Sequence, residues 1–245
     1  MNIQSKVKLA LSIMLFSLTA QVNATVVLNS TRAIYNESEK EVIVKVDNKG
    51  EKPSLLQSWI DTGDKDKKVS QIDVPFIISP PVVRIEPAQG QSLRITYTGN
   101  DLPDDRESVF WLNVLDIPPQ AESSSSNVMQ MAFRTRIKLF FRPDAIRETT
   151  FTDATDLISW RDSGRKEGAY SIIDVINSSP LHMTLSTIEV RQGEKKTESI
   201  TGNMVAPFLS ESYKIKTSSL KNDPHLFASY INDHGVVTLK EIKKD

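Results

Sequence analysis

The chain has no cysteine among its 245 residues. That single absence excludes disulfides, zinc–thiolate sites, thiol nucleophiles and redox motifs. Histidine is nearly missing too: His182, His225 and His234 are scattered, and none stands at metal-ligand spacing from another. No Gly-x-Ser-x-Gly elbow, phosphate loop or His-Glu-x-x-His is present. Asp64 and Asp66 lie among Lys65, Lys67 and Lys68 with no glutamate at the twelfth loop position, which describes a solvated turn and not a calcium loop. So empty an inventory predicts a protein that is not an enzyme and needs no cofactor or metal. An excess of either charge is also lacking, since 30 basic residues face 31 acidic ones. That balance does not describe a nucleic-acid binder. After the first twenty residues no apolar run is long enough to cross a bilayer, so no membrane insertion is expected.

What is present begins with an export signal. Lys6 and Lys8 precede LALSIMLFSLTA (9–20) and then Val22-Asn23-Ala24. A charged start, a short apolar run and a small-residue cleavage pattern read as a signal peptide over 1–24. The apolar run is shorter than the roughly 20 residues that span a membrane. The remaining chain, about 220 residues, suits one large domain or two of about 100 each.

Nearly every later segment reads as a strand. TVVLNSTRAIYN (25–36), EVIVKVDNKG (41–50), LLQSWID (55–61), VPFIISPPVVRIEPAQGQSLRITYTG (74–99) and SVFWLNVLDIPP (108–119) alternate β-branched or aromatic residues and stop at turn residues. QAESSSSN (120–127) is a short low-complexity loop. After Pro143 the pattern resets, and strands recur at AYSIIDVINSS, HMTLSTIEVRQG, SYKIKTSS, LFASYINDHG and VVTLKEI. Short strands about ten residues apart with turn signals between them predict β-sandwiches. The fold class is therefore all-β, with one domain over 25–145, a second over 146–245 and a cleft between them. No long amphipathic helix is visible. Asn29, Asn36 and Asn177 each open an Asn-x-Ser/Thr sequon, which matters only in a host that glycosylates secreted proteins.

One stretch is unusual. VMQMAFRTRIKLFFRP (128–143) predicts a single strand well beyond the usual five or six residues. Its first half alternates Met129, Met131 and Phe133 with polar residues, and its second half carries Arg134, Arg136, Lys138 and Arg142. The apolar residues could complete their own sandwich, or they could await a partner along an open edge. An open edge accepts or lends a strand through main-chain hydrogen bonds, with alternate side chains giving specificity. Methionine suits that use because its thioether adapts to imperfect pockets. Lys138 has opposite parity to Met129, Met131 and Phe133, so both sets meet one partner only if the strand twists or bulges.

TRAIY (31–35), ISPPVVRIEP (78–87), DDRESVFWLNVLDIPP (104–119) and RIKLFFRP (136–143) together resemble the periplasmic pilus chaperones of the chaperone–usher pathway. NSSPLHMTL (177–185) and SYINDHG (229–235) extend the resemblance through the second half. It implies two immunoglobulin-like domains set at an angle, located in the periplasm. Such a chaperone lends its long last strand, here 127–142, to pilus or fimbrial subunits and delivers them to an outer-membrane usher. The resemblance places Met129, Met131 and Phe133 in the subunit's groove. It gives Arg32 and Lys138 the subunit's C-terminal carboxylate, a role for which two cations in a partly desolvated cleft are chemically apt. It makes Glu107, Arg142 and Asp233 a charged link between the domains. A free chaperone is also expected to cover its edge in a self-capping homodimer. The alternative is a secreted immunoglobulin-like adhesin or structural binding module, which has no reason to place two cations for a chain terminus.

Overall fold

The computed structural model describes residues 26–99, 102–119, 130–221 and 223–245. The expected signal peptide, loop 120–127 and Met129 lie outside the described residues. The first domain is a sandwich of two sheets. One has the order β1–β3–β7–β5, from β1 (Val26–Leu28), β3 (Val42–Asn48), β5 (Phe76–Ser79) and β7 (Gly90–Tyr97). The other has the order β2–β9–β8–β4–β6, from β2 (Arg32–Asn36), β4 (Ser54–Asp61), β6 (Val82–Ile85), β8 (Ser108–Ile117) and β9 (Phe133–Arg142). Alternation decides which side chains go inward. Val44 and Val46 of β3, Leu112 and Val114 of β8, and Leu139 and Phe141 of β9 are all buried between the sheets. Tyr35, Phe76, Tyr97, Phe110 and Phe141 make one aromatic cluster there, with Tyr97 and Phe141 centroids 4.4 Å apart.

The expected strand over 25–36 is in fact two. β1 pairs antiparallel with β3 in one sheet, and after Asn29-Ser30-Thr31 the chain crosses over to pair β2 parallel with β9 in the other. Polar turn residues interrupt the alternation at the crossing. The consequence is positional: Arg32 becomes the registered neighbour of Lys138.

The second domain has its own core, which shares no residue with the first. Its strands run in the order β13–β12–β16–β17–β10–β11–β15, with β14 (Met204–Val205) attached to β12. They are β10 (Ile158–Glu167), β11 (Tyr170–Asn177), β12 (Met183–Gln192), β13 (Lys195–Thr201), β15 (Ser210–Lys216), β16 (His225–Ile231) and β17 (Val237–Lys244). Between the domains, Pro143 ends β9, and Ile146 already packs into the second core. A single short helix follows, α1 (Phe151–Asp156), held by a capping box between Thr150 and Asp153.

Of the three sequons, Asn177 is wholly buried. Its amide donates to the carbonyls of Leu181, Val205 and Ala206, so it serves the fold and offers no acceptor for glycan.

Candidate functional site

β9 organises the site. β8 pairs along it from Ser108↔Phe141 to Asp116↔Phe133 without a register shift. Pro118 and Pro119 then end β8, because proline has no N–H to continue the ladder. Of the expected strand over 127–142, Phe133–Arg142 form β9, residues 127–129 lie outside the described residues, and Gln130–Ala132 precede β9 unpaired by strand, with Gln130 donating to the Pro118 and Pro119 carbonyls. On its other side β9 meets β2 only from Lys138 to Arg142. Phe133–Ile137 therefore form an open edge among the described residues.

Met131 and Phe133 stand at that end, 56% and 57% exposed. Phe133 shares the inward parity of Ile137, Leu139 and Phe141 but lies past the rim of the core. The pairing of β8 with β9 carries no bulge from Phe133 to Phe141. Phe133 and Lys138 lie on opposite faces of β9. Both remain within reach of a chain that adds edge-on, because an added strand projects side chains to both faces.

The outward face of β9 carries Arg134, Arg136, Lys138 and Arg142, and their environments differ. Arg142 is held from both sides. It donates to Glu107 Oε1 through Nη2 at 2.9 Å and Nε at 3.2 Å, and to Asp233 through Nη1 at 2.9 Å and Nη2 at 3.2 Å. Burial opposes its charge, but the hydrogen bonds and charges of Asp233 and Glu107 outweigh that and raise its pKa. Glu107 also reaches the second domain, accepting the His182 N–H at 2.8 Å and facing its Nδ1 at 3.2 Å through Oε2. The Glu107 N–H donates to the Pro180 carbonyl at 2.9 Å. The turn that presents Asp233 contains Gly235 at φ 79°, where a Cβ would come within 2.6 Å of Thr31 Oγ1. Only glycine allows that approach.

Arg32 and Lys138 are the contrasting pair. Arg32 Nη1 donates to the Ile231 carbonyl at 3.0 Å, and its Nε is buried with no hydrogen-bond partner among the described residues. Lys138 Nζ donates to Thr184 Oγ1 at 3.2 Å. Burial lowers the Arg32 pKa, partly offset by Asp233 and Glu107. Burial, and then the charge of Arg32, brings Lys138 down to about 8. Neither forms a salt bridge among the described residues. Two half-buried cations stand side by side, each hydrogen-bonded only to a neutral oxygen among the described residues, a charge arrangement that an anion would neutralise.

Several participants were not apparent from sequence. His182, Thr184 and Ile231 come from the second domain and meet Glu107, Lys138 and Arg32, which lie 75, 46 and 199 residues away in sequence. Asp61 is 3% exposed and forms a salt bridge with Arg136, although it read as the last residue before a turn. Among the described residues no group of three or more His, Asp or Glu could hold a metal ion. No described helix is long and apolar enough to cross a membrane.

Fold and site define a protein of two immunoglobulin-like sandwiches joined through a charged hinge. The pili and flagellar-assembly chaperone PapD N-terminal domain matches residues 25–147, and the pili assembly chaperone PapD C-terminal domain matches 153–241. The chain belongs to this family of pilus assembly chaperones. It is 38% identical over 231 residues to the chaperone protein FimB/FhaD of Bordetella pertussis, covering 92% of this chain and 90% of that one. It is 40% identical over 221 residues to the probable fimbrial chaperone YadV of Escherichia coli, covering 86% and 87%. A chain of the Salmonella enterica SafA pilin–SafB chaperone complex superimposes with TM-score 0.72 at 27% identity, covering 91% of this chain and 97% of that one. These relatives are named as chaperones and not as enzymes.

Proposed function

We propose that this chaperone, exported to the periplasm by its signal peptide, holds an incomplete pilus or fimbrial subunit by lending it the open edge of β9. It then passes the subunit to an outer-membrane usher. The observation that carries this reading is the conjunction on one strand of an unpaired edge over Phe133–Ile137 with the Arg32–Lys138 pair beside its inner end. A subunit strand pairing along the edge satisfies main-chain groups that otherwise face water. Its C-terminal carboxylate between the two cations fixes where pairing starts. Met131, Phe133 and, by alternation, Met129 enter the subunit's groove. Full burial of each such side chain contributes about 1.5–3 kcal/mol, and roughly half of that remains to be gained at Met131 and Phe133. The hinge of Glu107, Arg142 and Asp233 holds the second domain where Thr184 and Ile231 orient the cations. In the absence of a subunit, two copies cover the edge through the same strand.

The relative solved with a pilin supports the partner class. Co-purification with the fimbrial subunits of the native host tests the reading. Wild type should retain them, and Arg32→Ala and Lys138→Ala should lose them while melting at or above the wild-type temperature. Equal retention by all three proteins would remove the carboxylate anchor from the account.

A further inference from the structure

Arg134, Arg136 and Lys138 face the same way at two-residue steps, each step moving about 6.6–6.8 Å along the strand. If capture of a chain terminus at β9 is the function, this spacing creates an ambiguity. A strand slipped by two residues keeps every side chain on its proper face, so alternation cannot exclude the slip. Charge must exclude it, and the sequence supplies equivalent-looking cations in three registers.

The fold treats them unequally. Asp61, the last residue of β4, receives the Gly63 N–H at 2.8 Å, the Asn113 amide at 2.8 Å and the Arg136 guanidinium. The Arg136 side chain is 12% exposed and lies 4.9 Å over the Trp111 ring. Its Nε has no hydrogen-bond partner among the described residues, nor does Asn113 Oδ1. Among the described residues Asp61 is therefore the one carboxylate paired with Arg136. Arg134 is exposed, and among the described residues it is in hydrogen-bond range only of the Lys65 carbonyl at 3.4 Å. An exposed cation captures a carboxylate weakly.

We infer that Asp61 is a positioning residue that sets the register of the incoming chain. By holding Arg136 flat against Trp111, it leaves the Arg32–Lys138 pair as the one competent receptor along β9. Without Asp61 the guanidinium carries an uncompensated charge in a buried place. It must swing out to water on the same face, between Arg134 and Lys138, where it offers a second receptor two residues out of register.

The absence of cysteine and the regular edge make the register measurable. The probe is a synthetic peptide of alternating apolar residues with a free C-terminal carboxylate and a photo-crosslinking residue near that end. Its attachment points on β9 are mapped by mass spectrometry. Wild type gives one set of attachment points. Asp61→Asn gives that set and a second, displaced by two residues away from the hinge, and Asp61→Asn with Arg136→Gln returns to the single set. A purely structural Asp61 predicts a lower melting temperature with one unchanged set, and that result overturns the inference. Arg136→Gln alone supplies an arm that does not depend on Asp61→Asn folding. It should leave the set unchanged, and a shifted set or a tenfold loss of capture would place Arg136 in the receptor and refute the assignment. Lys138→Met separates the two claims. If it leaves capture intact, the carboxylate anchor itself fails. If it abolishes capture while Asp61→Asn keeps one register, only the role of Asp61 fails.

Discussion

Arg142 and Lys138 stand four residues apart on the same face of β9, in sites of similar burial, and differ in what surrounds them. Arg142 has four hydrogen bonds to two carboxylates from two domains. Lys138 has a threonine hydroxyl and an adjacent arginine. The first is a finished interaction whose strength is used within the molecule. The second holds two like charges near each other in a desolvated corner, an arrangement that costs stability and becomes favourable only when an anion arrives. One strand thus carries a satisfied charge and an unsatisfied pair, and on the proposed reading the second receives the subunit.

The comparison is broken most forcefully from the finished side. Glu107→Ala removes two of the four hydrogen bonds to Arg142, leaving it Asp233 alone, and frees the His182 N–H, a loss of up to about 3–5 kcal/mol, the upper end being that of a fully broken buried pair. Hydrogen exchange should show His182 losing protection, with a fall in melting temperature. The opposite response is expected at the other centre. Lys138→Met removes a like charge and should leave the melting temperature unchanged or raised. The same variant should lose the roughly 1.5–3 kcal/mol of a charged hydrogen bond in subunit affinity, measured by calorimetry.

A pH titration sharpens the contrast. Lys138 loses its proton near about 8 in the free protein, through burial first and Arg32 second. Below that value the pair carries two charges. Above it, taking up a carboxylate also requires taking up a proton, so affinity should fall by up to about tenfold per pH unit. For folding the sign is reversed. The folded pKa lies below the ordinary lysine value of 10.5, so the destabilisation is complete below about 8 and is relieved as pH rises toward 10.5. In Lys138→Met both slopes should flatten.

Smaller effects probe the two ends of the strand. Met131→Glu puts a charge on the apolar edge and should weaken both subunit binding and self-association without a change in melting, as read by sedimentation. Gly235→Ala imposes a left-handed alanine against Thr31 and should cost about 1 kcal/mol, through backbone conformation and close approach.

Much of the first domain was legible because its strands are half-buried and alternate, as in Val44 and Val46 or Leu112 and Val114. The second domain was less so. β10 and β13 are rich in charge, with RDSGRKE in one and KKTE in the other. Hydrogen bonding to a neighbouring strand, which local composition does not record, holds them in the sheet. The division of 25–36 into two strands on different sheets was likewise hidden, since both halves alternate correctly. At the site, Glu107, Arg142 and Asp233 could be grouped only through motif resemblance, because they are 35 and 91 residues apart. Asp61 offered no signal at all. A carboxylate after Trp-Ile and before Thr-Gly reads as the end of a strand running into a turn, and only the pleat of β4, β8 and β9 brings it under Arg136.

The most direct test of the account compares one subunit-derived peptide in two forms, with a free C-terminal carboxylate and with a C-terminal amide, by calorimetry near pH 7. The account predicts that wild type prefers the carboxylate by about tenfold or more, the worth of one charged hydrogen bond. Lys138→Met should keep only the part of that preference that Arg32 supplies, and Lys138→Met with Arg32→Gln should bind both forms alike, at the level of the amide. If wild type binds the two forms equally, Arg32 and Lys138 do not receive a chain terminus, and the division of labour along β9 is wrong.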